Sequence, residues 1–154
     1  MSTTTDRTRL TNELVARIHA APDTAAAATD LVAALKAHLP DYTWVGIYWL
    51  ETETNELVLG PYEGKPSPHV RIPLGRGICG AAASQQTTIV VDDVNSDPRY
   101  LACSLETRSE IVVPIMRGGA VFGEIDIDSD KRAAFGEADR RLIETVAAAL
   151  AARL

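Results

Sequence analysis

The sequence has few cysteines, few aromatic residues, no excess of basic residues and no long apolar run, and each shortage excludes a class of protein. Two cysteines in 154 residues are too few for the disulfide framework of a small secreted scaffold. The formal net charge of −6 argues against non-specific nucleic-acid binding, which needs a basic face. No apolar run reaches the roughly 18 residues of a transmembrane helix. With 5% aromatic and 46% hydrophobic residues, the core must be mainly aliphatic.

The N-terminal segment and the length indicate where the chain works and how it is organised. Residues Met1–Asp6 lack the apolar stretch of a secretory signal peptide. Together with the scarcity of cysteine, this predicts a cytoplasmic protein whose thiols start reduced. The length of 154 residues suits one domain, with N-terminal helices at about 7–38 and a core at about 42–154. No linker or internal repeat is evident, so no attached output domain is expected.

Hydrophobic periodicity and turn residues predict an α+β domain, in which helices at both ends cover a central, mostly antiparallel sheet. The Gly118-Gly119 pair predicts a tight hairpin. Residues 61–69 contain three prolines and are expected to form a loop. Helices are expected at 7–20, after Pro22 to about 38, at 77–86 and from 136 onward; strands are expected at 42–50, 56–60, 69–73, 88–91, 110–117 and 120–128.

Five short stretches follow one another between Gly75 and Ser129: Gly75–Ala82, Asp92–Val94, Ala102–Cys103, Ser109–Ile115 and Gly123–Ser129. In this order and spacing they resemble the GAF-domain free methionine-(R)-sulfoxide reductases, and the likeness extends over roughly 42–154. The resemblance implies a GAF fold and a thiol-dependent reductase of the free amino acid. It also implies no bound cofactor, recycling by an external thioredoxin/NADPH system, and often a homodimer. The family commonly has a third cysteine, and the matching position here is His69.

The resemblance assigns the catalytic roles to the two cysteines. Cys103 would attack the sulfoxide and become a sulfenic acid, and Cys79 would resolve it as a Cys79–Cys103 disulfide. A helix beginning near Gly77 would lower the pKa of Cys79 through the helix dipole, and His69 is a candidate modulator of the Cys103 thiol. On the residues alone, a structural role for both cysteines as small buried hydrophobes is favoured, and the resemblance reverses that preference.

Three carboxylates form the predicted substrate-binding group. Asp126 and Asp128 are two residues apart on a strand and share one face, and Glu110 lies on the neighbouring strand. Like charges on one face need a cation or a proton between them. The ammonium of a free amino acid fits, and one protonated carboxyl could supply the acid for the sulfoxide oxygen. The alternative is a solvated acidic sheet face. No histidine accompanies the group at ligand spacing, so no metal site is predicted.

Two aromatic residues on the first strand complete the predicted site. Trp44 and Tyr48 are four residues apart and therefore share a face. Trp44 is similar to the family's tryptophan that closes over the substrate thioether, and both rings are expected to bind substrate; ordinary core packing is the alternative. The competing function for the whole chain is a non-catalytic GAF module that binds a small molecule or senses redox state.

Overall fold

The computed structural model describes residues 4–101 and 105–154 of the chain. Cys103, the predicted attacking thiol, lies outside the described residues. The helices are α1 (Thr4–Ala20), α2 (Thr24–His38), α3 (Gly77–Gln85) and α4 (Glu137–Ala151). The strands are β1 (Trp44–Glu51), β2 (Glu56–Glu63), β3 (Arg71–Pro73), β4 (Ile89–Val91), β5 (Ser109–Arg117) and β6 (Ala120–Ser129), and a short 3₁₀ helix spans Val94–Ser96.

The strands form one sheet in the order β3-β2-β1-β6-β5-β4, with every neighbouring pair antiparallel. Two local hairpins, β1–β2 and β5–β6, supply the central strands, and the pairing of β6 with β1 joins them. Gly118 and Gly119 turn the second hairpin with φ values of 60° and 78°, which glycine adopts without the steric cost of a Cβ. The predicted α+β architecture with a central antiparallel sheet is confirmed.

The helices near the two ends of the chain pack on the same face of this sheet. α1 contacts α2 and α4, while α2 packs on β1 and β2 and α4 packs on β5. Ile125 and Ile127 point into this core and are fully buried, as their alternation along β6 predicts. The opposite face of β6 is thereby left for the polar residues that alternate with them.

The short helix α3 covers the opposite face, where it contacts β3, β5 and β6. It approaches the β3 backbone closely, because a Cβ at Gly80 would lie 2.7 Å from the carbonyl oxygen of Pro73. Small residues in α3 allow this contact, and Ile78 and Ala82 fill a second, smaller core. The packing fixes the first turn of α3, which carries Cys79, over the sheet.

The prediction of a loop over residues 61–69 is wrong at its start, because β2 continues to Glu63. Pro61 has no N–H for the strand ladder, yet the strand tolerates it at an irregularity: Tyr48 pairs with Leu59 and Gly46 with Tyr62, one residue out of step. A bulge of this kind leaves its extra residue unpaired, so proline costs no ladder hydrogen bond there. Within the described ranges, no helix is long and apolar enough to cross a membrane.

Candidate active site

The face of β1 and β6 that points toward α3 carries most of the predicted site residues. Every second residue of a strand points to the same face, so the cross-strand register decides which side chains meet. Trp44 lies opposite Asp128, Gly46 opposite Asp126, and Tyr48 opposite Glu124. On the neighbouring strand, Glu110 lies opposite Asp128. The sheet therefore brings the three predicted carboxylates and the two aromatic residues onto one surface.

A cavity of about 380 Å³, including its open mouth, lies between this surface, the first turn of α3 and the loop before β3. This volume falls within the range of small-ligand sites. We call this cavity the thiol pocket, because the Cys79 side chain contributes to its wall. Six predicted site residues line it: Trp44, Tyr48, His69, Cys79, Glu110 and Asp126.

Asp128 shares the sheet face of the other predicted site residues but does not line the thiol pocket. It lines a neighbouring cavity of about 510 Å³, together with Lys65 and Glu106. We call this second space the Asp128 cavity. Trp44 lines both cavities, so its indole ring forms part of the wall between them. The prediction that Asp126 and Asp128 act together stays a prediction.

The polar centre of the thiol pocket consists of Cys79, Glu110 and Asp126. The thiol sulfur and one oxygen of each carboxyl group lie within 4.8 Å of one another, and all three residues are buried. A thiol sulfur and carboxylate oxygens are atom types that bind metal ions. Among the described residues, Cys79, Glu110 and Asp126 are therefore the group in this pocket that could hold a metal ion. From the sequence no metal ion is predicted at these carboxylates, and this absence stays a prediction.

Burial raises the pKa of both Cys79 and Asp126, two of the three groups. Burial raises the pKa of the Cys79 thiol well above its ordinary value, and the charges of Asp126, Glu124 and Glu110 raise it further. Burial also raises the pKa of Asp126, against the opposing effects of Glu110, Cys79 and His69. The expectation that the helix dipole would lower the pKa of Cys79 is wrong, because three nearby carboxyls and complete burial outweigh one helix N-terminus.

The two aromatic side chains are hydrogen-bonded to the loop that covers the pocket, and His69 is part of that loop. The Tyr48 hydroxyl donates a hydrogen bond to the His69 carbonyl oxygen at 2.8 Å. The Trp44 indole N–H donates to the Lys65 carbonyl oxygen at 3.0 Å. His69 lines the thiol pocket, and its charge acts on Asp126. These contacts place the loop that precedes β3 directly over the sheet surface.

The described residues on either side of Cys103 lie beside the two cavities. Leu101 lines the thiol pocket, and a Cβ at Gly77 would lie 2.8 Å from its Cδ1 atom. Glu106 and Thr107 line the Asp128 cavity. Glu106 also pairs with Lys65 at 3.0 Å, which connects this segment to the loop before β3. The distance from Cys103 to Cys79, on which the predicted disulfide depends, lies outside the described residues.

Glu124 is a buried carboxyl in this region that the sequence analysis missed. Its side chain is fully buried, and neither carboxyl oxygen has a hydrogen-bond partner among the described residues. Burial raises its pKa well above the ordinary value, and the charge of Asp126 raises it further, whereas Cys79 has the opposite effect. The alternation that places Asp126 and Asp128 on one face also includes residue 124, so strand spacing could have identified it.

We expect Glu124 to make the stability of the fold depend on pH. An unfolded chain releases the Glu124 proton near the ordinary pKa of 4.5, whereas the folded chain keeps it to a higher pH. The folded state therefore binds more protons, and Glu124 lowers stability as the pH rises between these two pKa values. Relative to the native protein, Glu124→Gln is expected to gain up to about 1.4 kcal/mol per pH unit in that window. Urea unfolding at a series of pH values measures this.

The matched control is Glu53→Gln, which removes one carboxylate from an exposed turn between β1 and β2. The gain in stability over the native protein should grow with pH for Glu124→Gln and should exceed any change caused by Glu53→Gln. Parallel stability curves for native protein and Glu124→Gln would show that the buried carboxyl titrates normally.

Comparison with known proteins identifies relatives of this chain. The GAF domain model matches residues 23–154. The free methionine-R-sulfoxide reductase of Escherichia coli is 38% identical over 118 residues, which cover 77% of this chain and 70% of that protein. The protein of the same name from Saccharomyces cerevisiae is 42% identical over 116 residues, covering 74% of this chain and 64% of that protein.

A solved structure agrees over almost the whole chain. The free methionine-R-sulfoxide reductase of Neisseria meningitidis, in complex with its substrate, superposes with a TM-score of 0.94 at 35% identity. The match covers 99% of this chain and 90% of the Neisseria chain. The predicted GAF fold and the predicted enzyme family are both confirmed, because the sequence and structural comparisons agree. This chain therefore belongs to the GAF-domain family of free methionine-(R)-sulfoxide reductases.

Proposed function

We propose that this chain, as a single GAF domain, reduces free methionine-(R)-sulfoxide to methionine with Cys103 as the attacking thiol and Cys79 as the resolving thiol. The observation that carries the proposal is the position of Cys79 beside Glu110 and Asp126, in one buried pocket of a chain from this reductase family. The thiol and the carboxyl groups supply the two kinds of chemistry that the reaction needs.

In the first step the Cys103 thiolate attacks the sulfoxide sulfur. The sulfoxide is reduced to the thioether of methionine, and its oxygen becomes the hydroxyl of a Cys103 sulfenic acid. In the second step the Cys79 thiol attacks the Cys103 sulfur. A disulfide forms, and the sulfenic hydroxyl leaves as water together with the thiol proton. A dithiol of the thioredoxin class, reduced at the expense of NADPH, then returns both cysteines to thiols.

Glu110 and Asp126 have two tasks in this mechanism. A carboxylate in the pocket binds the substrate ammonium, and a carboxyl that keeps its proton donates it to the sulfoxide oxygen during the attack. Burial supports the second task, because it raises the pKa of the carboxyls at this site, so that one of them keeps a proton while the substrate ammonium favours the ionised form of Asp126. Asp128 contributes to ammonium binding from the neighbouring cavity.

The remaining side chains shape the pocket around the substrate. Trp44 and Tyr48 contribute apolar ring surface beside the thiol, suited to a thioether and to a cationic ammonium. His69 modulates the pocket through its charge, which acts on Asp126. Because His69 stands where the family commonly has a third cysteine, Cys79 is the remaining thiol available to resolve Cys103. We also propose that the protein forms a homodimer.

Asp126→Asn is expected to raise the KM for free methionine-(R)-sulfoxide about ten- to hundredfold. The substitution removes a charge-assisted contact with the ammonium, worth about 1.5–3 kcal/mol. The measurement is the initial rate of methionine formation at a series of substrate concentrations. Asp130→Asn, four residues further along and exposed, is the matched control and should leave KM unchanged.

The same assay tests whether the free amino acid is the substrate. A methionine sulfoxide within a peptide has no free ammonium, so the native protein should act on it hardly at all. Equal rates on both substrates would contradict ammonium binding by the acidic group. The competing function, a non-catalytic GAF module, would produce no methionine from either substrate.

A further inference from the structure

The indole ring of Trp44 lies in a narrow slot between two glycines. A Cβ built on Gly46 would overlap Cη2 of the ring and would lie 2.6 Å from Cζ3. A Cβ built on Gly64 would lie 2.7 Å from Cδ1 of the same ring. Real Cβ atoms essentially never approach another heavy atom within 3.0 Å. Any side chain at position 46 or 64 would therefore displace the indole.

Two further contacts hold the Trp44 indole in this slot. The indole N–H donates to the Lys65 carbonyl oxygen at 3.0 Å, and the Tyr62 ring stacks on the indole with centroids 5.8 Å apart. Gly64 has a φ of 127°, a backbone conformation that L residues rarely adopt. The end of β2 and the residues after it thus place a carbonyl, an aromatic ring and a glycine around a single side chain.

This placement gives the indole its position at the thiol pocket. Gly46 pairs with Asp126, so a ring that lies on Gly46 stands beside the Asp126 carboxyl. The same ring lines the Asp128 cavity on its other side. Because the indole lines both cavities, displacing it would change the shape of the thiol pocket beside Cys79.

We propose that Gly46 and Gly64 are positioning residues, which form a slot for the Trp44 indole and thereby set the width of the thiol pocket for its substrate. The inference rests on the proposed function, because the pocket is taken as the sulfoxide-binding site. Neither glycine contacts the reacting atoms. Both act through Trp44, and the effect of a side chain at Gly46, whose Cβ would meet the outer ring of the indole, must disappear when that ring is removed.

A double-mutant cycle tests this dependence on Trp44. The three ring atoms closest to a Cβ at Gly46 are Cη2, Cζ3 and Cζ2, and all belong to the outer ring of the indole. Gly46→Ala is expected to raise the KM for methionine-(R)-sulfoxide about tenfold or more, with a smaller change in kcat. In a Trp44→Phe background the same substitution should change KM less than about threefold. Non-additivity of this kind reports a direct interaction between the two positions.

The matched control is Gly136→Ala, because the atom nearest to a Cβ at that position is 3.9 Å away. Gly136 lies at the start of α4 with a φ of −93°, and alanine there should leave KM unchanged. An equal rise in KM for Gly46→Ala in the native and the Trp44→Phe backgrounds would overturn the proposal. That result would mean that Gly46 acts through the β1 backbone.

A second measurement needs no substrate and separates this inference from the proposed function. The chain has two tryptophans, so Trp49→Phe leaves Trp44 as its sole indole fluorophore. In that background Gly46→Ala should shift the emission maximum of Trp44, with cooperative thermal unfolding retained. An unchanged emission spectrum would overturn the proposal that Gly46 positions the indole. A shifted spectrum in a protein without reductase activity would support the slot and contradict the proposed function.

Discussion

Cys103→Ser is expected to abolish the reduction of free methionine-(R)-sulfoxide. A serine hydroxyl stays protonated at neutral pH and is a far weaker nucleophile than a thiolate, so the attack on the sulfoxide sulfur does not occur. The measurement is methionine formation in a single turnover, without added reductant. Under these conditions the native protein should yield close to one methionine per chain, and Cys103→Ser none.

The controls for this variant are measurements of its thermal unfolding and of its substrate binding. Thermal unfolding should match that of the native protein, and the variant should still bind the substrate, because neither depends on the thiol. Leu101 and Glu106, which flank the Cys103 segment, line the two adjacent cavities and support the choice of this cysteine. Native-like activity in Cys103→Ser would transfer the attacking role to Cys79, the other cysteine of the chain.

Cys79→Ser is expected to form one methionine per chain and then stop. Cys103 would remain as a sulfenic acid, because no other thiol in the chain can displace its hydroxyl. Intact-mass spectrometry should find one added oxygen, and a sulfenic-acid-specific probe should label it. The control is the native protein, which should show a loss of two hydrogens in place of the added oxygen. Sustained turnover of Cys79→Ser with thioredoxin would show that the external dithiol resolves Cys103 directly.

The environment of Cys79 predicts how the resolving step responds to pH. The raised pKa keeps Cys79 protonated at neutral pH, and the reactive thiolate forms only as the pH rises toward that higher value. Disulfide formation should therefore accelerate with pH above the ordinary thiol range. The Cys79 side chain is 6% exposed, which shields its thiol from adventitious oxidation.

Much of the fold could be predicted from local signals. The proline and aspartate before α2 and the glycine pair between β5 and β6 mark element boundaries that the structure reproduces. Alternation along β6 assigns Ile125 and Ile127 to one core, and Asp126 and Asp128 to the other face. These signals survive because caps, turns and strand alternation depend on neighbouring residues alone.

The remaining features of the site depend on how distant elements pack. Strand spacing places Asp126 and Asp128 together, but the Trp44 ring, held by Gly46 and Gly64, puts them in different cavities. The helix position of Cys79 suggests a lowered thiol pKa, but packing of α3 on the sheet buries it among carboxyls and raises the pKa.

The sequence by itself determined most of the secondary structure, the α+β class, the family and the residue types available for catalysis. Only the tertiary structure decided which of these residues meet in one pocket, which carboxyl lies behind a ring, and that Glu124 is a buried member of the group. The physical reason is that burial and electrostatic coupling are sums over neighbours from β1, β5, β6 and α3. Those neighbours are far apart in the chain, and only the packed fold brings them within range.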